Sequence, residues 1–346
     1  MGAATVKPVD SGPEQRYQVL AVTNLWPTKD DSGWGTFVQG QMESLRPLGV
    51  EYDVLFMNGR ESLANYGKAI LELHRRLAAK RYDLIHAHFG LSGLVARCQW
   101  RVPVVVSFLG DDVLGRFDRE GRNSLVGLMF QISSFVLART VSAVIVKSAA
   151  MKQQLRLAAA RVIPTGVNLD VFCPINQAEA RRVLGLDKRP KYVLFPYDAT
   201  VARKRFDLLQ QAVTLARPEL PEIEILQVVC VPRPQMPLYF NAADVLVLLS
   251  YAEGSPNAVK EAMAVNLPVI SVDVGDTREL IGPTEGCYIV SPRADEVAAR
   301  IVEVCRRGAR TRGREWISRY AEDKIAREVL KVYAGVLRAG PPKEPV

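Results

Sequence analysis

The stretch Val245-Leu-Val-Leu-Leu249-Ser250-Tyr-Ala-Glu253-Gly254-Ser255-Pro256-Asn257-Ala258-Val259-Lys-Glu261-Ala-Met263 carries the strongest structural signal in the chain. Five apolar residues without alternation suit a strand buried on both faces, as in a parallel sheet under helices. Gly254 and Ser255 permit close backbone approach, and Pro256 suits the first turn of a helix. Strand, turn and helix in that order leave free amides at the C-terminal edge of a sheet, where the helix dipole favours an anion. Glu253 and Glu261 flank this seat. Beside a phosphate they are better placed to accept hydrogen bonds from neutral hydroxyls than to meet another negative charge. Taken alone, the pair would read as a helix cap at Glu253 and a solvated helix residue at Glu261.

The same alternation runs along the whole chain. Strands are predicted at Gln18–Thr23, Tyr52–Phe56, Leu84–Ala87, Val104–Phe108 and Ala143–Val146, then at Tyr192–Phe195, Ile223–Val229, Val245–Leu249, Val269–Val272 and Tyr288–Val290. Helical patterns lie between them, including Leu63–Lys80, where Leu63, Ile70, Leu73 and Leu77 share one face, and Phe206–Arg217, Asn257–Val265 and Asp295–Arg306. This order predicts an α/β class with two Rossmann-like halves. The Pro/Gly/Asx-rich run Pro164–Pro174 reads as a hinge. The expected division is 1–165, 166–320 and a C-terminal segment 321–346, whose helix Asp323–Leu337 either caps the second half or crosses back to the first. Residues 1–17 read as a Pro/Gly/Ser lead-in without the features of a secretory signal, and Pro341–Pro345 as a disordered tail. Ligands of open α/β sheets bind at the C-terminal strand ends, so the interdomain cleft is the expected site.

Bulk properties narrow the classes further. The chain has 346 residues, enough for two cores, and 48% hydrophobic with 24% charged residues is ordinary for a folded protein. No apolar run reaches the ~18–20 residues of a membrane span. Five cysteines at wide spacings suit reduced thiols in the cytoplasm. With three histidines and no ligand-like spacing, no metal is expected. The net charge of +8 favours anionic partners. It leaves a peripheral contact at an inner membrane surface open, and no motif accompanies it for nucleic acid.

The quoted stretch resembles the E-x7-E motif of retaining glycosyltransferases of the GT-B fold, family 4. The likeness continues through Pro268, Gly275-Asp276 and Glu279, and upstream through Tyr239-Phe-Asn-Ala-Ala-Asp244, Ile163-Pro-Thr-Gly166-Val-Asn168, Asp83-Leu-Ile-His86-Ala-His88 and Gly110-Asp111-Asp112. It implies two facing Rossmann-like domains and a nucleoside diphosphate sugar as donor. By resemblance Glu253 contacts the transferred sugar, Glu261 the ribose, and the amides across Gly254–Val259 the diphosphate or sugar. Lys204, followed by Arg205-Phe-Asp-Leu, matches the family's diphosphate lysine. The family's arginine falls near Ala199 in this register, which makes Arg203 the candidate substitute. Two cations and a helix start can stabilise a departing diphosphate, so a metal-independent reaction with no cofactor beyond the donor is expected.

Four further groups are candidates by position. The loop Gly33-Trp34-Gly35 suits close approach to acceptor or phosphate, or a ligand-free turn. His88 ends a strand at the ligand edge, and Asp111 and Asp112 either orient substrate or cap a helix. Arg233 lies where the nucleotide base would bind. Leu109 stands where many family members carry a histidine next to the transferred sugar. The acceptor is expected to be a hydroxyl of a glycan, lipid-linked or small molecule. A non-catalytic nucleotide-sugar-binding protein and a GT-B-fold sugar-nucleotide epimerase remain alternatives.

Overall fold

The computed structural model describes residues 16–31, 33–118 and 120–339. The N-terminal lead-in up to residue 15 and the tail from residue 340 lie outside the described residues. The first half contains strands β1 (Tyr17–Thr23), β2 (Val50–Phe56), β3 (Leu84–His88), β4 (Val104–Ser107), β5 (Ala143–Val146) and β6 (Arg161–Val162). Its helices are α1 (Thr36–Leu45), α2 (Ala64–Ala79), α3 (Gly90–Ala96), α4 (Asp111–Leu114), α5 (Leu125–Leu137) and α6 (Ala149–Leu155). The strands form one parallel sheet in the order β2-β1-β3-β4-β5-β6.

The second half contains β7 (Lys191–Phe195), β8 (Ile223–Gln227), β9 (Val245–Leu248), β10 (Val269–Ser271) and β11 (Tyr288–Ile289), parallel in the order β11-β10-β9-β7-β8. Around them lie α7 (Gln177–Leu184), α8 (Phe206–Ala216), α9 (Met236–Ala242), α10 (Asn257–Ala264), α11 (Thr277–Ile281), α12 (Ala294–Arg307) and α13 (Gly313–Ile317), and α14 (Glu322–Ala339) ends the described chain. Each sheet has a hydrophobic cluster on both faces. That explains why inner strands such as β4 and β9 read as unbroken apolar runs: they have no solvated face to impose alternation.

Leu63 departs from the predicted face of α2. It precedes the helix and is 79% exposed, while Ala69 and Leu73 carry the buried side.

The chain leaves the first core after Ile163 and enters the second at Val167. It returns at α14, whose Ile325, Ala326, Val329 and Tyr333 pack with Tyr17, Val19, Met42 and Leu45 of the first domain. The last helix therefore crosses back. Both crossings run side by side: Val167 N donates to Tyr320 O at 2.9 Å, and Glu322 N to Val167 O at 3.1 Å. Inside the first domain Tyr333 Oη meets His86 Nδ1 at 2.6 Å, and His86 Nε2 meets Ser107 Oγ at 2.8 Å.

Candidate functional site

The turn after β9 and the start of α10 form one wall of the cleft. Pro256 precedes α10 in extended conformation (φ −68°, ψ 113°), and no side chain caps the helix, so its first amides keep their free donors. Gly254 sits against the opposite domain: a Cβ there would stand 2.4 Å from the carbonyl oxygen of Leu109. A side chain at this position would push the two walls apart. Leu109 therefore meets the donor loop through its backbone.

Glu253 lies at the centre of a buried charge cluster. Lys204 Nζ donates to its Oε1 at 2.6 Å and Arg203 Nη1 at 3.0 Å. Arg203 also reaches Asp111 across the cleft at 3.6 Å. Burial alone would raise the Glu253 carboxyl, but the Lys204 and Arg203 charges win and hold it at about 2. Burial draws the Lys204 ammonium down to about 8 against the pull of Glu253. Lys204 Nζ also lies 3.5 Å from the Tyr197 ring centroid, a cation–π contact in a nearly dry setting. Arg203, the candidate substitute for the family's arginine, lies beside Lys204 on the same carboxylate.

Glu261, inside α10, is buried and hydrogen-bonded to Arg233, whose guanidinium stacks 4.8 Å from the Phe172 ring. Arg233 and Asn257 open onto an interdomain cavity of about 480 Å³, which Phe37 of α1, Asn168 and Glu322 also line. The volume is in the range of small-ligand sites. A hollow of about 570 Å³ at the ends of β10 and β11 is lined by Arg205, Tyr251 and Arg278, and takes in none of the sequence-predicted site residues.

Two candidates are placed differently from the sequence reading. His88 is fully buried and stacked on His86 (centroids 4.1 Å apart), and burial holds its pKa well below the usual value. It faces no cleft, because β3 is covered on both sides up to its last residue. Asp112 is also buried and accepts hydrogen bonds from the amides of Leu109, Gly110 and Gly90 at 3.0, 2.9 and 3.0 Å. Burial pushes its carboxyl up to about 6 despite these bonds. Its carboxylate is taken up by holding the loop that touches Gly254, the structural role that the sequence left open beside a substrate contact. Asp111 remains half-exposed in the cleft.

The glycine loop is knitted to its own domain. Gly35 has φ +72°, and a Cβ there would lie 2.2 Å from Leu25 carbonyl carbon. Trp34 Nε1 donates to Asn24 O at 3.1 Å, and Gly33 lies near Asp31. The loop's contribution to the cleft is indirect, since it starts the helix that presents Phe37.

Sequence reasoning missed two buried lysines. Lys260 Nζ donates to Thr165 O at 2.8 Å and Ser255 Oγ at 2.9 Å, and Ser255 Oγ donates to Asp276 at 2.7 Å, tying α10 to the hinge. Burial lowers Lys260 to about 8. Lys147, at the end of β5, has no hydrogen-bond partner for its Nζ among the described residues, and burial and Lys260 bring it down to about 7. The available signal was position: Lys147 directly follows the buried run Val144–Val146, and Lys260 lies between Glu253 and Glu261 in sequence. Among the described residues no cluster of three His, Cys, Asp or Glu is placed to hold a metal, and no helix is long and apolar enough to cross a membrane.

Two parallel α/β domains facing each other across a cleft of cations and carboxylates are the arrangement of the GT-B fold. Family models described as Glycosyltransferase Family 4 and Glycosyl transferases group 1 match residues 13–171 and 201–307, one on each domain. The chain belongs to the family 4-like glycosyltransferases. It is 23% identical over 347 residues to a Bacillus subtilis glycosyltransferase described for teichuronic acid biosynthesis, covering 82% of this chain and 88% of that protein. It is 27% identical over 263 residues to D-inositol 3-phosphate glycosyltransferase of Kribbella flavida, an alignment spanning 62% of this chain and 60% of that enzyme. In fold it is similar to sucrose-phosphate synthase of Thermosynechococcus elongatus (TM-score 0.77, 21% identity, 94% of this chain and all of that one). It is also similar to Anabaena HepE in complex with UDP and glucose (TM-score 0.66, 16% identity, 92% and 100% coverage).

Proposed function

We propose that the chain transfers a sugar from a nucleoside diphosphate sugar to a hydroxyl acceptor, with retention at the anomeric carbon and without a metal ion. The observation that carries this reading is Glu253 held between Lys204 and Arg203 beside the free amides of α10. A departing diphosphate takes the electron pair of the bond to the sugar, and preorganised cations and amides stabilise that charge as it develops. The acceptor oxygen bonds to the sugar carbon as its proton passes to the leaving phosphate oxygen. Glu253 orients the sugar, Glu261 accepts from the ribose in exchange for Arg233, and the 480 Å³ cavity receives the base. The similar fold seen with UDP-glucose in Anabaena HepE makes a uridine donor the first to try. The five unpaired cysteines support work in a reducing compartment.

Leu109 at the family's histidine position favours one second reading, a protein that binds nucleotide sugars without turning them over. A thermal-shift panel of nucleotide sugars, followed by turnover assays, separates the two. A donor at 100 times its Kd stabilises by about 2.7 kcal/mol. Transfer to an acceptor, with the anomeric configuration of the product retained by NMR, is the expected outcome. Binding without transfer to any acceptor favours the second reading. Turnover is expected to survive EDTA. Loss on chelation with recovery on adding Mg²⁺ or Mn²⁺ contradicts the metal-free mechanism.

A further inference from the structure

Helix α5 is built inside out for a surface helix. Its 13 residues, Leu125–Leu137, carry no charge, and the residues it buries are Gly127, Ser134 and Leu137. The large apolar side chains point away from the protein: Leu125 is 81% exposed, Met129 67% and Ile132 58%, with Leu128, Phe135 and Val136 also exposed. These six recur at three- and four-residue spacing, so they form one continuous outward stripe. Apart from Leu137 at its C-terminal end, the helix buries small residues and turns its large ones outward, so the stripe is not a by-product of core packing.

The rim of this stripe is basic. Arg116 stands before the helix, and Arg139 and Arg156 at its far end. All three are exposed, and none forms an ion pair with another described residue. The Arg139 guanidinium lies 3.4 Å from the Phe135 ring centroid and donates to Leu155 O and Arg156 O, which fixes charge at the apolar edge. The nearby acids Asp118 and Glu120 are both taken up by Arg122. An apolar stripe bordered by unpaired arginines matches a bilayer surface with anionic headgroups, the apolar side entering the acyl boundary and the arginines meeting phosphate. A second copy of the chain fits less well, because a symmetric pairing of this face would set arginine ends against arginine ends.

The stripe also adjoins the cleft. The loop leading into α5 touches the donor-side turn, with the Phe117 and Tyr251 ring centroids 6.5 Å apart and Gly121 against the Tyr251 ring. Tyr251 is two residues from Glu253. We propose that α5 docks the enzyme on an anionic membrane surface, so that the acceptor hydroxyl is presented by a membrane-anchored molecule at the cleft mouth. The acceptor part rests on the glycosyl-transfer reading, while the docking part stands without it.

The test is co-sedimentation of the full chain with phosphatidylcholine vesicles, with and without phosphatidylglycerol, against a Leu125→Gln/Met129→Gln/Ile132→Gln variant. Oligomeric state and nucleoside diphosphate binding are measured in parallel. The wild type is expected to sediment with the anionic vesicles, and the variant to partition roughly tenfold less or weaker. Both proteins are expected to bind the nucleotide equally, which shows the variant folded. Arg139→Gln, which leaves the stripe intact, is expected to lower binding to the anionic vesicles only. Equal partition of wild type and triple variant overturns the proposal, as does a wild type that ignores vesicles. Self-association abolished by the same substitutions, without vesicle binding, assigns the stripe to a second copy and overturns it too. Vesicle binding without nucleotide binding in either protein leaves docking supported and removes the glycosyl-transfer reading.

Discussion

Glu253, in the turn before α10, and Glu261, inside it, are buried to nearly the same extent, yet their partners differ. Glu253 is gripped by Lys204 at 2.6 Å and Arg203 at 3.0 Å, whereas Glu261 is met by Arg233, a residue that borders the open cavity. Glu253→Gln is expected to lower kcat and kcat/KM together, with little change in nucleoside diphosphate affinity. Glu261→Gln is expected to weaken donor and free nucleotide alike, because a ribose contact is common to both. Steady-state kinetics with nucleotide titrations on folded variants check this contrast, and identical signatures would remove the division of roles. Lys147 offers a test of another kind. Its folded pKa is about 7 against an ordinary 10.5, so between these values the unfolded chain holds more protons and stability rises with pH. The cost of its buried charge is in full force below about 7 and absent above about 10.5. Lys147→Met is expected to raise unfolding stability at pH 7 by about 1–4 kcal/mol and to flatten the rise toward pH 9.5 in urea titrations. An unchanged or lower stability at pH 7 contradicts that account.

Among the elements, α14 does most to join sequence-distant parts. Its Tyr333 reaches the buried His86 at 2.6 Å, 247 residues away, and its apolar face closes the first domain's core. Tyr333→Phe is expected to cost about 1–3 kcal/mol, because the His86 nitrogen is left buried without that partner. A melting temperature equal to wild type would show that the hydrogen bond contributes nothing net. This crossing is also where the sequence fell short. The 3.6-residue pattern of 323–337 marks a helix but not which domain receives its apolar face, since that depends on the path of residues 313–322. Inner strands such as β4 and β9 were legible because burial on both faces leaves an unbroken apolar run, and α10 was legible from the Gly-Ser-Pro turn that opens it. The two-residue β6 and the helix α5 were not, β6 for lack of length and α5 because most of its large periodic residues point outward and only Gly127, Ser134 and Leu137 are buried. At the site, Glu253, Glu261 and Lys204 were singled out through the family resemblance, and the structure brings Lys204 onto Glu253. The burial of His88 and the loop-holding role of Asp112 were not legible, because both depend on what covers a strand end from distant segments.

At the scale of the whole molecule, two α/β domains are linked by paired crossings at Val167 and Glu322 and touch again where Leu109 meets Gly254. Between those contacts the cations and carboxylates neutralise one another, Lys204 and Arg203 with Glu253, Arg203 with Asp111, and Arg233 with Glu261. A nucleoside diphosphate entering this cleft exchanges some of these internal pairs for its own charges, so its affinity is a sensitive measure of whether the cluster is the donor site. The direct measurement is calorimetric titration of wild type and Lys204→Ala with a nucleoside diphosphate and with the matching nucleoside. The expected result is that the substitution weakens the diphosphate by about 1.5–3 kcal/mol, roughly 10- to 150-fold, and leaves the nucleoside almost unchanged. Equal loss for both ligands, or a wild type that binds the diphosphate no better than the nucleoside, would contradict the assignment of this cluster as the diphosphate seat.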